Sequence, residues 1–122
     1  MKPINKKILY VVNVDWFFIS HRLPIATKAV SKGFEVHVAC RITSHGELLK
    51  SHGLHIHSLE IPRSTTSPIS FLRTFIQICN LFKLIKPDLV HLITIKPVLL
   101  GGIASRYCKV PAVVSAISGL GY

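Results

Sequence analysis

Negative charge is nearly missing from this sequence: five Asp and Glu stand against fifteen Lys and Arg, a formal net charge of +10 over 122 residues. The surplus favours polyanionic partners, whether nucleic acid, anionic lipid headgroups or phosphorylated substrates. A second absence argues against nucleic acid. The basic residues are spread from Lys2 to Lys109 with only Lys6 and Lys7 adjacent, and neither zinc-finger spacing nor an aromatic RNA-binding motif occurs. Cysteine is sparse and unpatterned: Cys40, Cys79 and Cys108 form no C-x-x-C, which fits reduced, buried thiols in a cytosolic protein rather than disulfides or a metal site. The apolar run near the start, Ile8 to Val12, is too short for a signal-peptide core or a membrane span. A cytoplasmic protein is expected, with peripheral contact to the inner face of the plasma membrane left open. Charged residues are only 16% of the chain and apolar residues 49%, so a packed core is expected and disorder is not. The length suffices for one domain, not for the two that a cleft enzyme usually needs.

What is present is a regular alternation. Lys7 to Asn13 is a continuous apolar, β-branched run, as a strand buried on both faces should be. Val14 to Ser20 reads as a loop, and from His21 helical spacing begins, with Pro24 in the first turn and Gly33 as the stop. Glu35 to Cys40 is the second strand, Gly46 to His52 a short helix closed by Gly53, and Leu54 to Leu59 the third strand. A long helix over 69–86 carries one narrow polar stripe and ends before Pro87. Its broad apolar surface suits either burial under further polypeptide or a membrane interface. Leu89 to Ile93, a helix over Pro97 to Tyr107 and Ala112 to Ile117 complete the order. Strictly alternating units predict an α/β fold: a Rossmann-like, doubly wound parallel sheet with its switch point beside the first and fourth strands. The sequence stops just past a strand, so the fold is expected to be incomplete at its C-terminal end.

The switch point selects three loops, after the first, fourth and fifth strands. The first lacks both G-x-G-x-x-G and G-x-x-x-x-G-K-[ST], which removes the dinucleotide fingerprint and the P-loop from where they should stand. It holds instead Asp15, His21 and Arg22: an acid, a titratable base and a fixed cation, able to orient and deprotonate a hydroxyl or pair with a phosphate. The plainer alternative makes Asp15 a turn residue and His21-Arg22 a solvated helical turn. Trp16-Phe17-Phe18 is either a hydrophobic staple or a platform for a sugar ring or lipid chain. Lys96 stands at a helix start that favours an anion. His91, inside an apolar strand, reads as a satisfied core histidine. Ser118, Gly119 and Gly121 can bring backbone close to a ligand.

Several ordered segments resemble the N-terminal domain of family 4 glycosyltransferases of the GT-B type, nearest to bacterial members that extend lipid-linked sugars. They are Phe18 to Ile25, Ile61 to Pro68 (with Arg63), Val90 to Pro97, Val110-Pro111 and Ser118 to Tyr122. The resemblance implies that the loop of His21 and Arg22 faces a saccharide or polyprenyl-diphosphate-sugar acceptor. Lys96 and Gly119 to Gly121 would line the cleft. It further implies a nucleotide-sugar donor held by a C-terminal domain absent from these 122 residues, no bound cofactor or catalytic metal, and inactivity of the chain alone. His21 is the candidate base, and no base is assigned at Ser118. A non-catalytic subunit joining a separate donor-binding chain, and a truncated product without function, are the alternatives.

Overall fold

Five short apolar runs separated by helical segments build a single parallel sheet in the order β3-β2-β1-β4-β5 in the computed structural model, which describes residues 6–59, 68–93 and 95–116. The strands are β1 (Lys7–Val14), β2 (Glu35–Arg41), β3 (His55–Ser58), β4 (Leu89–Ile93) and β5 (Ala112–Ala116). Every pairing is parallel; Tyr10 lies opposite Val38 on one side and His91 on the other. The chain leaves β1 toward β2 and later returns to lay β4 on its other side. The switch point therefore falls between β1 and β4, as the alternation predicts.

Pleating divides the core in two. Tyr10, Val12, Val36, Val38 and Cys40 face a layer made by α1 (Asp15–His21), α2 (Leu23–Ser31) and α3 (Gly46–Ser51). Leu9, Val11, Ala39, Val90 and Leu92 face α4 (Pro68–Ile85) and α5 (Ile95–Tyr107). Gly101 sets the second contact: a Cβ there would lie 2.4 Å from Leu92 Cδ2, so any larger residue would push this buried side chain aside.

One expectation needs correction. The stretch from Val14 to Ser20 is not a loop; β1 runs directly into α1. Phe18 anchors that turn, wholly buried with its ring edge-on to Tyr10 at 5.2 Å, while Ser20 Oγ and His21 Nδ1 bond back to the carbonyls of Trp16 and Phe17. Trp16 stays 48% exposed, so the aromatic triplet divides between core and surface. On α4 the polar stripe, with Arg73, Asn80 and Lys83 exposed, is only part of the solvent face. Thr74 is buried, whereas Ile69, Leu72, Ile76 and Leu84 are exposed. Of the cysteines, all free, Cys40 and Cys79 are buried and Cys108 half-buried. Burial and the nearby Asp15 charge push the Cys40 thiol up to about 12, leaving it unreactive at neutral pH.

Candidate functional site

α1 starts without a side-chain cap from Val14, and the adjacent carboxylate is committed elsewhere. Asp15 Oδ1 accepts from Trp16 N–H at 2.8 Å and Thr43 Oγ1–H at 2.7 Å. Its Oδ2 accepts from the N–H groups of Thr43 at 2.9 Å and His45 at 3.1 Å. The side chain has no solvent exposure. Burial pushes its pKa up, but these hydrogen bonds, from Thr43 first and then His45 and Trp16, outweigh burial and hold it below the usual range. Asp15 is thus a clamp between the end of β1 and the loop after β2. A carboxylate with four donors and no open face does not bind an acceptor, and that expectation is withdrawn.

His21 and Arg22 behave differently. His21 is exposed, its ring stacked on Phe17 at 4.1 Å, and Nδ1–H donates to Phe17 O at 3.1 Å. This tautomer leaves the Nε2 lone pair toward solvent, the arrangement a general base needs. Arg22 follows at the junction of α1 and α2, where its own N–H closes on Phe18 O at 2.8 Å and Nη1 donates to His21 O at 3.1 Å. Its Nε is buried with no hydrogen-bond partner among the described residues.

The same defect recurs on the neighbouring strand. His91 is stacked on Tyr10 at 5.1 Å, yet its Nε2 is buried without a partner among the described residues. Among the described residues this nitrogen is not satisfied as a core histidine's would be. Burial, then the Arg22 charge, lower its pKa, so the ring is neutral at pH 7. Burial raises the Tyr10 hydroxyl against an opposing pull from Arg22. One guanidinium thus acts on both rings. Asn13 Oδ1, near the end of β1, is also buried and unpaired among the described residues. Buried polar atoms are rarely left bare, so such atoms beside a switch point mark where a polar ligand or water completes the structure.

Sequence reading missed His91 and Tyr10 as members of this group, because only the β1–β4 register brings them together. Lys96 lies in the first turn of α5, with its side chain outside the described residues, as are Arg63, Ser118, Gly119 and Gly121 entirely. A second histidine cluster sits at the other end of the sheet: His37 Nε2–H donates to Glu35 at 2.6 Å and His37 Nδ1 meets His57 Nε2 at 2.8 Å. Burial lowers both histidines, while the His37 hydrogen bond lowers Glu35, so a neutral relay donates to a carboxylate. Among the described residues no group of three or more His, Cys, Asp or Glu is placed to hold a metal ion. A cavity of about 450 Å³ lies away from the switch point, at the amino-terminal ends of β4 and β5.

Residues 7–122 match the family model described as glycosyl transferase 4-like. Among solved structures, the chain resembles a glycosyltransferase from Rickettsia africae at 18% identity and a TM-score of 0.70, covering 92% of this chain and 29% of that one. MurG from Acinetobacter baumannii gives 19% identity and a TM-score of 0.70, with 91% and 35% covered. The chain thus spans about a third of the length of these two proteins. A C-terminal domain of the PF1911 hydrogenase from Pyrococcus furiosus is alike over 94% of both chains, at 14% identity and a TM-score of 0.68. That spread of proteins shows a shared fold and does not choose an activity. No curated protein matches the sequence significantly.

Proposed function

The chain belongs to the glycosyl transferase 4-like family, and from that premise we propose that it is the acceptor-side unit of a GT-B glycosyltransferase, with the acceptor seated beyond β1 and β4. The observation that carries this reading is the pair of buried, unpartnered nitrogens, Arg22 Nε and His91 Nε2, next to the exposed His21. A guanidinium with a free donor suits the diphosphate of a polyprenyl-linked acceptor, and a neutral imidazole suits a sugar hydroxyl. His21 Nε2 takes the proton of the attacking acceptor hydroxyl. That oxygen bonds to the anomeric carbon of a nucleotide-diphosphate sugar, the bond from this carbon to the diphosphate breaks, and the nucleoside diphosphate leaves with the electron pair.

Donor binding is assigned to polypeptide beyond these 122 residues, so the chain alone does not transfer sugar. The limited span of the two glycosyltransferase-like matches supports this, as does β5: Val113 and Val114 are 41% and 44% exposed, so both faces of the edge strand are partly open. The same exposure favours a second reading, in which a separate donor-binding chain covers β5. A cytoplasmic setting with peripheral contact to an anionic membrane fits the basic charge and the exposed apolar residues of α4 and α5.

The test is a titration of the 122-residue chain with a short-chain polyprenyl-diphosphate sugar, read by the NMR signals of the Arg22 Nε–H and the histidine rings. Shifts at Arg22 and His91 that vanish in Arg22→Met are expected. Binding of a nucleotide sugar at these residues, with no response to the acceptor, would sink the assignment. Sugar transfer by the chain alone would overturn the placement of donor binding elsewhere.

A further inference from the structure

Two of the three thiols of this chain meet across a helix pair, and the acceptor site makes no use of them. Cys79 is buried on α4 and belongs to the core cluster beneath β1 and β4; Cys108, just past the end of α5, is half-buried and packs against that cluster. Its backbone N–H closes on Ala104 O at 2.8 Å, which fixes the thiol at the helix end. Cys79 S–H donates to the Cys108 sulfur. Burial first, then this contact, push the Cys79 thiol up, while Lys83 pulls it the other way. Cys40 shows the opposite arrangement: it lies in the other core cluster, across the sheet, with no solvent exposure and no second cysteine among the described residues of that cluster.

The pair is reached from one side. Cys108 lines the cavity of about 450 Å³ together with Phe82, Lys83, Lys86 and Lys109. Cys79, Phe82, Lys83 and Lys86 follow the three- and four-residue spacing that puts side chains on one helix face, so Cys79 stands one turn behind the wall of the groove. A reagent entering the groove therefore meets Cys108 first and Cys79 behind it. A thiol pair kept only for packing needs no such route to solvent. The entrance is also charged: three ammonium groups stand against the one carboxylate of Asp88, and among the described residues those lysines make no ion pair. A positive entrance raises the local concentration of an anionic reagent.

We propose that Cys79 and Cys108 form a reversible disulfide between α4 and α5, made by exchange with a small anionic disulfide that enters through the lysine-lined groove. Cys108 gives its proton to solvent, and its thiolate attacks one sulfur of the reagent. The reagent's S–S bond breaks, and the departing half leaves as a thiolate that takes a proton from water. Cys79 then loses its proton to water and attacks the Cys108 sulfur; the mixed bond breaks and the second half leaves in the same way. Two protein thiols are oxidised to a disulfide, and one small disulfide is reduced to two thiols. The bridge closes a loop that contains β4, with His91, and all of α5. Closing that loop restricts the unfolded chain and so stabilises the strand that carries half of the acceptor site.

The probe is oxidised glutathione, added to the folded 122-residue chain near neutral pH and followed by intact mass, peptide mapping and thermal melting. Expected are the loss of two hydrogens without a lasting glutathione adduct, a peptide linked through Cys79 and Cys108, and a Tm higher by about 5 °C or more. Dithiothreitol should reverse all three. Cys79→Ala should stop at the mixed disulfide on Cys108, and Cys40→Ala should form the bridge as wild type does. Cystamine, a cationic disulfide, should oxidise the chain at least about threefold more slowly at low salt, with the gap closing as salt rises. No reaction of the wild-type chain, a lasting glutathione adduct on it, a bridge through Cys40, or an oxidised chain with a lower Tm would overturn the pair. Equal rates with the two reagents at low salt would overturn the groove as the entrance. The acceptor titration reads Arg22 and His91 in the reduced chain, so its outcome and this one are independent.

Discussion

Asp15 and Arg22 lie seven residues apart at the two ends of one short helix, and their surroundings are opposite. Asp15 is sealed, with both oxygens engaged by Trp16, Thr43 and His45. Arg22 is half-buried with a bare Nε, and the strand beside it presents a second bare nitrogen at His91. Charge and position along the loop made the two look like partners in one site. Hydrogen-bond completion separates them: a satisfied buried charge maintains the fold, and an unsatisfied one is available to a ligand.

The sharpest way to break that division is to truncate the clamp. Asp15→Ala strands the N–H groups of Trp16, Thr43 and His45 at the carboxyl end of β1. Each buried unpaired group costs on the order of 1–3 kcal/mol, so a loss of about 3 kcal/mol or more is expected in urea denaturation. A stable Asp15→Ala variant with weakened acceptor binding would reverse the roles assigned here. Asp15→Asn, which keeps the shape but loses the charge and some acceptor capacity, should fall between wild type and alanine.

Arg22→Met is the complementary change. It retains the aliphatic stem and removes the unused Nε donor together with one exposed bond from Nη1 to His21 O, so stability should move by less than about 1 kcal/mol. Acceptor affinity should fall roughly tenfold to a hundredfold, the range for losing a charge-assisted bond to a phosphate. Arg22→Lys should restore only part of it, because an ammonium cannot reproduce the planar fork. A large stability loss in Arg22→Met with unchanged affinity would make Arg22 the structural residue of the pair.

Much of the fold was legible because parallel strands buried on both faces write themselves as apolar runs: Ile8 to Val12 and Val36 to Cys40 are wholly buried. The switch point followed from the order of elements alone. α1 was not legible, since no capping residue precedes it and its aromatic side chains read equally well as a loop staple. The division between Asp15 and Arg22 was hidden for a different reason. The partners of Asp15 lie 28 and 30 residues away, and the contact of Tyr10 with His91 depends on strand register. Neither leaves a local pattern. The solvent face of α4 is wider than its polar stripe, since Ile69, Leu72, Ile76 and Leu84 are exposed too, while Thr74 of the stripe is buried and bonds Ser70 O within the helix.

A smaller effect sharpens the same contrast from the strand side. His91→Phe keeps the stack on Tyr10 and deletes the unpaired Nε2, so it should stabilise the chain by about 1 kcal/mol. The gain should come with weaker binding of the acceptor hydroxyl, the trade expected where a site is kept incomplete for a ligand. A destabilised His91→Phe would show that Nε2 is satisfied in the folded chain.

The smallest difference is in pH, and its sign follows from the shifts. His91, His37 and His57 all sit below the ordinary histidine value of about 6.5 because burial disfavours the charged ring. The unfolded chain therefore takes up protons first as pH drops below about 6.5, and the folded state loses stability from there downward. Asp15 is also held low, below 3.8. Its contribution is intact above that pH and is lost only as the pH falls through the lowered value. Denaturation midpoints should thus decline in two stages, a shallow one that sets in below about pH 6.5 and a second that sets in below about pH 4. His91→Phe should flatten the first in part, the remainder belonging to His37 and His57, and leave the second unchanged. Asp15→Asn should do the reverse. If His91→Phe leaves the first stage as steep as in wild type, His91 does not titrate as a buried neutral ring, and the ligand-ready half of the comparison rests on Arg22 alone.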